Sequence, residues 1–393
     1  MANTLKFGNG QWATKKGSAL AYNDENGNFK PLPFDFDRDT SATRVNKEGL
    51  IEVVSNNEPR IDFKDDSKGA LLLEPSRSNL ITYSEDFTQS NWAKSNVTLT
   101  SDFAVAPNGT NTASKILATA SDSLLQETIS ITSGTTYTLS VYLKTVSGNL
   151  NTNISLGSPA FPDTQGDGGR TKEIIVTDSW QRFTITSTAD ATANSGVGVG
   201  GFSSFSTGEE ILVWGMQLEQ GSYATSYIPT QGSIGTRVAE SCSDAGNDQV
   251  FNDSEGVLFA EISALADDGT AKTIELVNSS NSNNRLSLIY RAELGRIQMF
   301  LNYTGATATN ISVYDVDKTN NIKIACKYKN NDMALWLNGF EVATSNTGTT
   351  SSNIGFSNIQ FSRAGTANFY GNTKQIQYFD TALTDAELQA LTS

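Results

Sequence analysis

No histidine occurs among the 393 residues, and there are only two cysteines, Cys242 and Cys326. A Ser-His-Asp triad, a Cys-His pair and any His-ligated metal site are thereby removed. Acid and base chemistry would fall to a carboxylate pair, as in glycoside cleavage, or to a lysine. Glu209, Glu210, Glu219 and Glu261 are candidate members of such a pair, yet no motif joins them. Chemistry without proton transfer is better supplied: an aromatic ring stacks on the apolar face of a pyranose while Asn, Asp or Gln fixes the hydroxyls. Tyr83, Trp92, Tyr142 and Trp336 are the candidate rings for carbohydrate binding.

No cofactor is expected; with hard oxygen ligands plentiful and no cysteine cluster, the one metal the composition would suit is a structural calcium, and the other reading of its acidic stretches is a solvated loop. Asp163 and Asp167 flank a Gly-rich loop, and Asp244 and Asp248 crowd a second stretch with Asp253 and Glu255. Neither stretch matches the EF-hand pattern, so calcium rests on composition alone. The cysteines follow no C-x-x-C spacing and are expected as unpaired thiols, Cys326 buried in a strand.

The elements that must hold these residues are strands. Gly, Ser, Thr and Asn abound and only 18% of residues are charged, a balance that favours turn-rich β architecture over helices. The length suits two or three domains, each with its own core. A formal charge of −14 argues against a nucleic-acid surface and fits a soluble, self-repelling exterior. The start MANTLKFGNGQW has no apolar run of signal-peptide length, and no stretch is long and apolar enough for membrane insertion. The chain is therefore expected to be made in the cytosol and to reach the exterior by lysis and assembly.

The expected fold class is all-β: two antiparallel β-sandwiches, or jelly rolls, after an irregular N-terminal attachment segment. Residues 1–70 carry a turn at Asn26-Gly27, prolines at 31 and 33, and the aromatics Trp12, Tyr22, Phe29, Phe34 and Phe36. Such rings need cover, so this segment is read as serving attachment and oligomerisation. Residues 71–235 read as short strands, with Tyr137, Leu139, Val141 and Leu143 on one face of a half-buried strand. Residues 236–255 read as a linker and 256–393 as a second sandwich. There Asn338-Gly339 is a two-residue hairpin signal, and Thr384 with Glu387 has capping-box spacing for a terminal helix.

Several separated motifs recur in one order. ATRVN (Ala42 to Asn46), GLIE (Gly49 to Glu52), PRIDF (Pro59 to Phe63) and LLLEPSRSNLI (Leu71 to Ile81) are followed by WGMQLE (Trp214 to Glu219) and YATSYIP (Tyr223 to Pro229). Together they resemble the fibre and appendage proteins of tailed bacteriophages, over roughly residues 36 to 240. The segment ALWLNGFEVAT through QIQYFDTALTDAELQAL resembles a concanavalin-A-like or laminin-G-like jelly roll. The first resemblance implies a carbohydrate-binding-module-like sandwich and puts Trp180 and Trp214 on its strands, where they are expected to pack. It also implies a head or tail fibre on the virion surface, commonly a homotrimer, whose partners are other virion proteins and host-surface polysaccharide. No catalysis is expected. The alternatives are a polysaccharide depolymerase, which would need paired carboxylates in a cleft, and a capsid decoration protein with a purely structural role.

Overall fold

The computed structural model describes residues 4–19, 22–23, 32–201, 205–304, 306–363 and 365–393. The expected turn at Asn26-Gly27, with Phe29 and Pro31, lies outside them. The described chain is nearly all β, with one helix, Asp385–Thr392. No described helix is long and apolar enough to cross a membrane.

Two compact units are formed, and the first gathers residues 1–49, 54–75 and 238–393. Its strands build a nine-stranded sheet and a five-stranded sheet around one core. The central strand Glu255–Ala264 pairs with Ile322–Lys329 on one side and Gly371–Phe379 on the other. The N-terminal strand Leu5–Gly8 pairs antiparallel with Gly371–Phe379, Leu5 opposite Tyr378. Leu5, Phe7, Phe34 and Phe36 thus enter the same core as Leu258, Ile324 and Tyr378. Leu5, Phe7, Phe34 and Phe36, from the segment 1–70 expected to stand apart, find their cover in the same unit as residues 238–393. Residues 236–255, expected as a linker, are also built in: Ser241–Ser243 pairs with Phe34–Asp37, and Cys242, Ala245 and Phe251 are core residues. Both cysteines are free and buried.

A buried ionic cluster ties these segments together and accounts for several residues of the recurring motifs. Arg60 Nε donates to Glu240 Oε1 at 2.9 Å and Arg60 Nη1 lies 2.8 Å from Glu74. Arg38 Nη1 donates to the same Glu240 oxygen at 2.7 Å and spends its other protons on the carbonyls of Thr40, Ser55 and Glu58. Arg38 and Arg60 are wholly buried, which only such complete pairing permits.

The terminal helix starts where Thr384 and Glu387 close a capping box, and Leu388 packs with Phe259, Trp336 and Phe379 against the outer face of the nine-stranded sheet. The hairpin at Asn338-Gly339 has positive φ at both positions, 47° and 87°, as a two-residue primed turn requires.

The second unit comprises residues 50–53 and 76–237. It stacks two five-stranded sheets around its own core, into which Tyr137, Leu139, Val141 and Leu143 all point. The motif near its end is explained by hydrogen bonds. Gln217 Oε1 accepts from the amide of Ile228, Glu219 Oε2 accepts from that of Thr225 at 3.0 Å, and Trp214 packs on Tyr227 with centroids 4.6 Å apart. Glu85 receives Tyr227 Oη at 2.9 Å and Trp214 Nε1 at 3.2 Å. Burial pushes its carboxyl upward, with those two bonds opposing.

Candidate functional site

Of the four candidate rings, two are buried and two are half-buried. Trp92 is 2% exposed, meets Phe87 edge-on and donates Nε1 to the carbonyl of Tyr83 at 3.1 Å. Trp336 is 6% exposed, under the terminal helix. Both are core residues, because a large apolar ring on a strand beside an unfilled interior is drawn into it. Tyr83 is half-buried against the core of the second unit, and Tyr142 is half-buried beneath Arg182 and edge-on to Trp214. Trp180, expected to pack, is only half-buried and donates to the Val105 carbonyl at 3.0 Å.

The carboxylates are dispersed among private partners. Glu209 caps the Ser206 amide, Glu210 pairs with Lys115 at 2.6 Å, Glu219 holds Thr225, and Glu261 accepts from Gln375 and Asn321. The acidic candidates for calcium are exposed and likewise engaged: Asp163 with Arg170, Asp167 with Lys172, and Asp244 with Asn358, while Asp248 stands exposed on its loop. Among the described residues no group of three or more Cys, Asp or Glu side chains is placed to hold a metal ion. A polar cleft of the first unit, lined by Asn9, Asp66, Lys68, Glu261, Lys323 and Lys374, carries no ring, and its Asp66 and Lys374 pair with each other at 2.9 Å.

The surface that does combine rings with polar groups lies on the five-stranded sheet of the first unit, on the side away from the core. Alternation creates it. Leu286, Leu288 and Tyr290 of strand Asn281–Tyr290 enter the core, so Arg285, Ser287 and Ile289 take the other side. In strand Ile297–Tyr303 the inward residues are Ile297, Met299 and Leu301, which leaves Gln298, Phe300 and Asn302 outside. Strand Lys272–Asn278 sends Ile274 and Leu276 inward and Glu275 and Val277 outward.

Strand register then aligns the outward residues in rows. One row runs Gln360, Glu275, Ser287, Phe300, Asn310 across all five strands. The next runs Asn358, Val277, Arg285, Asn302. Ser287 Oγ donates to Glu275 Oε1 at 2.8 Å, and Gln298 Nε2 donates to Asn310 Oδ1. Two rings are flanked by guanidinium groups: Arg285 over Phe300 at 5.4 Å and Arg296 over Tyr314 at 5.4 Å. Phe300 is half-buried and Tyr314 is 59% exposed. Burial raises the Glu275 carboxyl, opposed by the Ser287 hydrogen bond and the charges of Arg285 and Arg363. Burial also lowers Arg285, with Glu275 opposing and Arg363 adding to the effect.

None of these outward residues was among the candidates from sequence. The available signal was the alternation of polar and apolar residues in RLSLIY and IQMFLNY, read for its polar half instead of its apolar half.

No family model matches the chain, and no curated protein matches it. Among solved structures, the chain is similar to the carbohydrate-binding module CBM40 of the Ruminococcus gnavus IT-sialidase bound to α2,3-sialyllactose, at 21% identity and a TM-score of 0.33, over 37% of this chain and 85% of that one. It is similar to domain 4 of the arabinanase AbnA from Geobacillus stearothermophilus in complex with arabinotriose, at 11% identity and a TM-score of 0.32, over 44% and 84%. It is also similar to the NanB sialidase of Streptococcus pneumoniae, at 16% identity and a TM-score of 0.31, over 37% and 25%. Likeness at this level fixes no ligand.

Proposed function

We propose that the chain is a fibre or appendage protein of a phage virion, on head or tail, that holds host-surface glycans through the outer face of its five-stranded sheet. The observation that carries the glycan part is the pairing of accessible rings with polar side chains on one regular surface: Phe300 beside Asn310, and Tyr314 beside Arg296 and Ser312. Rings supply apolar contact to a pyranose face, and the amides, hydroxyls and guanidinium groups meet its hydroxyls. A decoration protein serving assembly alone would have no use for such a surface.

The virion part is supported by the motifs from Ala42 to Pro229, and the buried Arg60, Glu74 and Glu240 cluster gives those motifs a structural reason. In this reading the protein acts by binding, without catalysis, since each carboxylate considered for a glycosidase pair has its own structural partner. Its partners are other virion proteins and host polysaccharide. A homotrimer, repeated over the particle, would multiply weak single-site contacts through effective concentration.

The test is a glycan array probed with the full chain and with a Phe300→Ala, Tyr314→Ala double variant. Wild-type binding to a defined set of glycans, lost in the double variant at unchanged melting temperature, supports the reading. Binding that survives the double substitution moves the site elsewhere.

A further inference from the structure

The two outward rings of the five-stranded sheet stand on one strip at a fixed separation. Phe300 lies opposite Asn310, and the same register puts Gln298 opposite Ser312 and Ile297 opposite Val313. Tyr314 follows Val313 directly. Arg296, the residue before Ile297, holds its guanidinium 5.4 Å from the Tyr314 ring and donates through Nε and Nη2 to Ser312 Oγ at 3.3 and 3.2 Å. Tyr314 therefore shares the outward side with Ser312 and Phe300. Phe300 is level with Asn310, four residues from Tyr314. Four residues of antiparallel strand span about 14 Å, roughly three times the length that one pyranose unit adds to an extended chain.

The interval between the rings is floored by short or flat-lying polar groups. Gln298 is 4% exposed and reaches along the sheet, its Nε2 donating to Asn310 Oδ1. Ser312 is short and half-buried. Asn310 is exposed, and with its Oδ1 taken, its Nδ2 remains to donate to a ligand hydroxyl. The cations beside the rings are already compensated: Arg296 pairs with Glu293 at 3.2 Å, and Arg285 faces Glu275 at 3.4 Å.

We infer, resting on the glycan-binding reading above, that the two rings form a single site for a linear, uncharged glycan that runs along the strands. One sugar stacks on Phe300, another on Tyr314, and those between lie over Gln298 and Ser312. A single sugar cannot touch both rings. A chain long enough to do so gains the second contact without a second loss of translational freedom.

The experiment is calorimetric titration of the full chain with cello-, chito- and malto-oligosaccharides, from a single sugar to lengths well beyond the span of the two rings, with alginate oligomers as the acidic arm. In at least one uncharged series, affinity should rise by about fivefold or more once the chain reaches about four units, and then level off. Tyr314→Ala, at an exposed position, should reduce the long oligomers to the affinity of the short ones. Phe300→Ala should do the same, and Phe300→Tyr, which keeps a ring, should restore the rise. Equal affinity at every length, or a rise that survives Tyr314→Ala, overturns the bridging of the two rings and leaves the glycan reading standing. A rise confined to alginate overturns the uncharged assignment. Absence of binding to every array glycan and every oligomer overturns this inference together with the reading on which it rests.

Discussion

Arg60 and Glu240 stand 180 residues apart in sequence, are both wholly buried, and meet through two hydrogen bonds, one of them Arg60 Nε to Glu240 Oε1 at 2.9 Å. Arg38 joins the same carboxylate. The pair fastens the region around residue 60 to the region around residue 240 within the first unit, where neither could remain charged without the other.

Removing one partner leaves an uncompensated buried charge, so Glu240→Gln should cost about 3 to 5 kcal/mol. Urea unfolding followed by tryptophan fluorescence measures this. A loss below about 1 kcal/mol would mean that the cluster is hydrated and weak.

Deletion of residues 1–70 should unfold the first unit and leave no soluble folded remainder of it. The deletion strips Leu5, Phe7, Phe34 and Phe36 from the core and takes Arg38 and Arg60 from Glu240. Near-ultraviolet circular dichroism and limited proteolysis of the truncated chain check it. A well-folded truncated protein that has only lost oligomerisation would restore the view of this segment as a detachable attachment arm.

Trp92→Ala and Trp336→Ala should each destabilise by roughly 3 to 5 kcal/mol, the range for truncating a large buried aromatic. Glycan binding by the molecules that remain folded should be unchanged. Trp180→Ala, at a half-buried ring, should cost less than either. Thermal melts of the three variants rank them, and a larger loss for Trp180 would contradict the burial pattern.

Asp268 supplies a pH signature. Burial raises its carboxyl, but the hydrogen bonds of Lys272 and Thr270 and the charge of Lys272 together hold it below its ordinary value. Lys272 Nζ lies 2.6 Å away. A depressed carboxylate stabilises the fold above its unfolded pKa of about 3.9 and loses that contribution as pH falls through the lower folded value. Asp268→Asn should therefore cost about 1 kcal/mol at pH 7, a figure reduced for solvent screening, and less at pH 2. A penalty of equal size at both pH values would assign the effect to packing.

Local features of the chain are legible in its sequence because local forces decide them. The alternation of Tyr137, Leu139, Val141 and Leu143, the Asn338-Gly339 turn and the Thr384 cap each follow from side-chain period, φ preference or a hydrogen bond within a few residues. Non-local pairing was not readable. Nothing in LKFG announces Gly371–Phe379 as its partner, and the rows around Phe300 exist only once register is fixed across five strands. Residue type does not decide the rings either: tryptophan serves both cores and sugar platforms, and it is the fold that buries Trp92 and Trp336.

The most direct test of the central account is the affinity of the full chain for its best array glycan, with and without the outward rings. Phe300→Ala with Tyr314→Ala should weaken binding by about tenfold or more, in line with about 0.5 to 1.5 kcal/mol for each ring contact, while the melting temperature stays close to that of the wild type. Undiminished affinity in this double variant, with loss instead on substitution in the second unit, would contradict the assignment of glycan binding to the five-stranded sheet.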